Sequence, residues 1–158
     1  MFGWEKRMIS IKPHHFVDII TGFGDGCTAP PPHPYGHAVR SVTQEILADH
    51  DVVLRMDLGA DDICRPCHHN LDGLCDDVID TSFIPQAPES KREYNLLIDE
   101  RWLERLGLRQ DDQLTARELC LRIRDRAGDI TDIYREIHAD RTAARYAKLR
   151  KGIEKFLE

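Results

Sequence analysis

From Gly59 to Asp80 the chain carries too few apolar residues to form a regular element, and it places three cysteines there: Cys64, Cys67 and Cys75, spaced C-x2-C-x7-C. A stretch that cannot bury itself has to be held by something other than a core. Thiolates at this spacing hold a metal ion or an iron–sulfur cluster. Three sulfurs do not complete a tetrahedral site, so the fourth ligand is the question that the sequence poses.

The rest of the chain reads as one globular domain over residues 1–158, long enough to bury a core. Residues 1–12 contain no apolar leader, and no run reaches the roughly 20 apolar residues of a membrane helix. The expected location is therefore the cytoplasm, where thiols stay reduced and clustered cysteines serve metals rather than disulfides. The net charge of −6 disfavours nucleic acid and anionic membranes as partners.

Periodicity predicts a mainly α fold of the α+β kind with minor β: a helical domain with a short strand pair and an irregular cysteine-rich loop. Ile9 to Ile11 and Val52 to Asp57 are the strand candidates. Pro13 suits the first turn of a helix through Ile20, on which His14 and Asp18 share a face. Gly22, Gly24 and Gly26 end it, and Cys27 lies in the proline-rich loop that follows. Val39, Val42, Ile46 and Leu47 mark one helix face. Ser90 caps a helix carrying Trp102 and Leu106, and Thr115 to Glu118 form a capping box. Ile130, Ile133, Tyr134 and Ile137 follow a helical period, and a final helix begins near Asp140.

The cysteine segment admits several readings. Cys64 to His68 fits C-x-x-C-H haem attachment, but that chemistry normally takes place outside the cytosol. A C-x-x-C redox dithiol is a second rival, although a third cysteine in a loop rich in Asp and His suits a ligand set better. Structural zinc, with His68 or His69 completing a Cys3His site, stands level with iron–sulfur on spacing alone. Eight acids against two arginines between Asp51 and Asp80 predict an acidic rim, which would lower a cluster's reduction potential. Cys120, with Ile123 and Ala127 at helical spacing, reads as a buried structural thiol.

Pro13-His14-His15, Gly24-x-Gly26, and Gly59-Ala60-Asp61-Asp62-Ile63-Cys64-x-x-Cys67 with Cys75 downstream resemble the family called domain of unknown function 1284, short bacterial and archaeal proteins. The resemblance covers residues 1–126 and leaves 127–158 as a helical extension. It implies an iron–sulfur cluster and names no reaction; the cluster expected on these ligands is of the four-iron type. The family pattern has a cysteine where this chain has Asp18, and an aromatic where it has Cys27. Cys64, Cys67 and Cys75 are thus the expected ligands, with Asp18, Cys27, a histidine or water at the fourth corner. His14 and His15 are expected beside the site, as hydrogen-bond donors to a ligand or as acid–base groups. A fully ligated cluster implies a redox partner protein, and an open iron implies a small molecule; the non-catalytic role is the one expected. The alternative is a zinc-stapled interaction protein with its basic last helix as the partner surface.

Overall fold

The computed structural model describes residues 7–158. The absence of a leader was read in part from residues 1–6, which lie outside the described residues. Among the described residues the fold is mainly α with minor β, as the periodicity predicts. Its elements run β1 (Met8–Ile11), α1 (Pro13–Gly24), α2 (Val39–Ala48), β2 (Val53–Met56), β3 (Asn70–Leu71), β4 (Leu74–Cys75), α3 (Lys91–Leu106), β5 (Gln113–Thr115), α4 (Ala116–Arg126) and α5 (Ala139–Phe156).

β1 and β2 pair in parallel, Ile9 opposite Leu54 and Ile11 opposite Met56. A parallel pair needs a crossover, and α1 and α2 supply it. Ile9, Ile11, Leu54 and Met56 are all buried, as expected of strands covered by helices. β5 adds a third, antiparallel strand beside β2. Three residues running directly into a helix cap leave little alternation to detect, and the sequence reading did not separate this strand from α4.

The capping signals act as expected. Ser90 Oγ accepts from Glu93 N–H at 3.2 Å and Thr115 Oγ1 from Glu118 N–H at 3.0 Å, each satisfying an orphan donor of a first turn. Two expectations change. The cysteine segment contains a regular element after all, the β3–β4 hairpin. Its turn is Asp72-Gly73, with φ of 52° and 87°, the Asp-Gly pattern that matches strand twist in a two-residue hairpin. Residues 130–137 form successive tight turns rather than a regular helix, although Ile130, Ile133 and Tyr134 are buried. Arg101 binds the Ile133 carbonyl, and Arg105 binds those of Ala127 and Asp129. These side chains satisfy backbone groups that a helix would otherwise bond internally.

The last helix is integral to the core. α5 lies across α1, and Leu149, Ile153 and Phe156 are buried, the Phe156 ring edge-on to Phe16. Gly24 and Gly152 bring the two backbones together: a Cβ at Gly152 would overlap the Ile20 carbonyl, and one at Gly24 the Lys148 carbonyl. Three of the six basic residues expected to form a partner surface turn back on α1 and the residue that follows it, while Arg141, Arg150 and Lys151 stay exposed. Lys155 binds the Phe23 carbonyl at 2.7 Å, Lys148 meets Asp25 at 3.3 Å and Arg145 faces Asp18 at 3.9 Å. Gly152→Ala should therefore destabilise the fold by about 1–3 kcal/mol through overpacking. Urea denaturation checks this, and an unchanged midpoint would show that the helices part without cost.

Candidate metal centre

Asp61 organises the site. It follows β2 and has no exposed surface. Its Oδ1 accepts from the N–H groups of Ile63 at 3.1 Å and Cys64 at 3.0 Å, the way a capping carboxylate holds the turn it precedes. Its Oδ2 accepts from Lys12 N–H at 2.7 Å, where β1 becomes α1, and from His15 Nδ1 at 2.7 Å. Burial alone would raise the Asp61 carboxyl; His15 and the backbone donors overcome it and hold the group well below the usual carboxylate range. The neighbouring acids are also engaged. Asp57 accepts from Ser10 Oγ at 2.6 Å and Asp62 from Ser10 N–H at 3.0 Å, which fastens the start of the cysteine segment along β1.

All five cysteines are free. Cys64, Cys67 and Cys75 line one small cavity of about 70 Å3, between the turn after Asp61 and the β3–β4 hairpin. Lys12, Arg92 and Asn70 line it too. Asn70 donates its Nδ2 to the Arg65 carbonyl at 3.2 Å, and its Oδ1 is buried with no partner. Burial pushes the Cys64 thiol up to about 12; the Asp61 charge adds to the shift and Lys12 opposes it. Burial works against the Lys12 charge, but Cys64, Asp61 and Asp99 outweigh it and raise its pKa. The charged side chains in the cavity wall are thus Lys12 and Arg92. The acidic rim read from the sequence is turned elsewhere, Asp76 to His69 at 2.8 Å and Asp77 to Lys91 at 3.2 Å. Cys120 is fully buried in α4, as expected of a structural thiol.

His15, Asp61 and Cys64 each place a ligating atom within 4.8 Å of the others, a candidate metal-binding group, and no other such trio occurs among the described residues. Sequence reasoning placed His15 and Cys64 near one site but gave Asp61 no role beyond the motif it belongs to. Its pairing with His15 spans 46 residues, and no local pattern announces a contact at that separation.

The other expected residues fall in a second place. Asp18, Cys27 and His14 line a separate cavity, into which His15 also projects, and they are absent from the wall around the three cysteines. Asp18 is largely exposed and faces Arg145, because its turn of α1 points toward α5. Cys27 is exposed in the loop after α1. His68 is exposed and His69 pairs with Asp76, so neither joins the cysteine cavity. His14 has its own fully buried carboxylate: Asp99 of α3 lies 2.9 Å from Nδ1 and accepts the His14 N–H at 2.8 Å. The two imidazoles lie side by side with ring centres 4.3 Å apart, each with Nδ1 on a buried Asp.

The chain matches no family model, no curated protein and no solved structure. The case for a metal centre therefore stands on geometry and donor chemistry.

Two predictions follow from these anchors. Asp61→Ala leaves a half-buried imidazole and three backbone donors unanswered and should cost about 3–5 kcal/mol, read by denaturant titration; a loss under about 1 kcal/mol would overturn the organising role. For His14, burial lowers the pKa, but Asp99, helped by Asp18, raises it above the ordinary 6.5 on balance. A group bound more tightly to its proton when folded stabilises fully below its unfolded pKa and loses that contribution as pH rises through the folded one. Stability should thus fall as pH rises from the ordinary histidine range through the raised folded pKa, by an amount missing from Asp99→Asn. Parallel slopes for parent and variant would refute the pairing.

Proposed function

We propose that the protein binds an iron–sulfur cluster through Cys64, Cys67 and Cys75 and serves in electron transfer or redox sensing. The observation that carries this reading is the convergence of three thiols on one small cavity, whose wall also includes Asn70. The spread of the sulfurs supports a cluster over a single ion on these cysteines. One tetrahedral zinc with bonds of about 2.3 Å draws its sulfurs to about 3.8 Å from one another. Here the three do not form a group within 4.8 Å, whereas a cluster gives each thiolate its own iron.

The surrounding residues suit an anionic cluster. Lys12 and Arg92 place positive charge in the wall, which offsets the charge of an anionic cluster, and Lys12 opposes the upward push of burial and Asp61 on the Cys64 thiol. Asp61 fixes the backbone on which Cys64 sits, so that thiol is placed before any metal arrives. Asn70 lines the same cavity and its Oδ1 has no partner, which makes it the candidate donor for a fourth position. As a hard donor it binds iron less firmly than thiolate, which suits an exchangeable position on a four-iron cluster. When bound, the cluster supplies one-electron chemistry, and the chain supplies its charge environment and its shielding from water.

The His15–Asp61–Cys64 trio favours a second reading, a single divalent ion such as zinc. Against it, both Asp61 oxygens are engaged by four donors, and a buried Lys12 ammonium lies beside the group. Metal and acid-labile sulfide content of anaerobically prepared protein separates the two. Iron with matching sulfide is expected, lost in Cys64→Ser, Cys67→Ser and Cys75→Ser, and kept in Asp18→Ala and Cys27→Ser. One zinc per chain without sulfide, lost in His15→Ala, would replace the cluster with the single ion.

A further inference from the structure

His15 also lines a second cavity, which the cluster reading leaves unused. Its volume of about 300 Å3 is at the small end of the range for small-molecule sites. Ile19, Val39 and Ile63 give it apolar walls. Its polar groups point to an occupant. Thr43, on α2, is 3% exposed and lines the cavity, yet its Oγ1 has no hydrogen-bond partner. His37 shares the wall, and its Nδ1 is likewise buried and unpartnered. Buried polar atoms are almost always paired, and two unpaired ones in the wall of one hollow mark positions that a bound molecule can complete.

Donors prevail among the groups with capacity to spare. The Lys91 ammonium, which shares one contact with Asp77 at 3.2 Å, carries three N–H donors. The Asn95 amide and the Thr43 hydroxyl add others. The one carboxylate in the wall, Asp18, already faces Arg145. Donors clustered against apolar surface call for an acceptor-rich head on a hydrophobic body.

We propose that this cavity binds a small organic carboxylate, its apolar body against Ile19 and Ile63 and its anionic head taking hydrogen bonds from Thr43 and Lys91. No part of this site requires the cluster, so the two readings stand or fall separately.

The test is an NMR titration of the full chain with benzoate, benzamide and inorganic phosphate. Benzoate should bind saturably in the millimolar range or below. Benzamide, whose amide sets N–H groups against Lys91, should bind at least about fivefold more weakly. Phosphate, without an apolar body, should do the same. Thr43→Val and Lys91→Gln should each weaken benzoate by about fivefold or more. Thr43→Val removes an unpaired hydroxyl, so its melting temperature should be unchanged or higher, which separates a lost contact from a lost fold. Should that variant unfold, Lys91→Gln, at a partly exposed position, carries the test alone. Absence of benzoate binding, equal binding by both variants, or equal binding of benzamide or phosphate would overturn the proposal.

Discussion

A carboxylate with no exposed surface must have its lone pairs answered or it cannot remain charged. At Asp61 the answers come from three separate parts of the chain: the N–H of Lys12 where β1 gives way to α1, the ring of His15 one turn later, and the N–H groups of Ile63 and Cys64. This one side chain therefore joins the first strand, the first helix and the cysteine loop. The hydrophobic core positions α1 against the sheet, but a core is tolerant of small slips. Four directed hydrogen bonds to a charged group are not, and they fix the register between the histidines and the cysteines.

The same side chain stands between two chemistries. On one side, Cys64 opens on a small hollow with two more thiols and two cations; on the other, His15 opens on a larger hollow with apolar walls and unpaired polar atoms. Soft donors and positive charge occupy one compartment, and hydrogen-bond donors on a hydrophobic frame occupy the other. His14 repeats the device one residue earlier, with Asp99 as its anchor. Adjacent histidines on a helix project at different angles, so each meets a carboxylate from a different element, one from the loop after β2 and one from α3.

What could be read in the sequence was what is local. The caps at Ser90 and Thr115, the proline at the start of α1 and the buried strands depend on neighbours a few residues away, and they are where the pattern puts them. The β3–β4 hairpin was legible in Asp72-Gly73 but was masked by the scarcity of apolar residues around it. The turns after Gly128 kept a helical apolar period without a helix, because arginines of α3 bind the carbonyls from outside. The anchors of the two histidines lie 46 and 85 residues away, and their choice depends on tertiary packing that no spacing rule encodes. For the same reason Asp18, which shares a face with His14 on paper, looks toward α5 rather than toward the thiols.

The close passage of Gly24 against α5 also has a bearing on the order of assembly. α1 carries both histidines, yet the surface it packs against is contributed by residues more than a hundred positions later in the chain. During synthesis β1, α1 and the cysteine loop emerge long before α5, and contacts of such sequence separation form late. Until α5 docks, α1 has one of its faces open to water and the histidines lack a fixed frame. The frame that holds the histidines of α1 is thus completed only by the last helix of the chain.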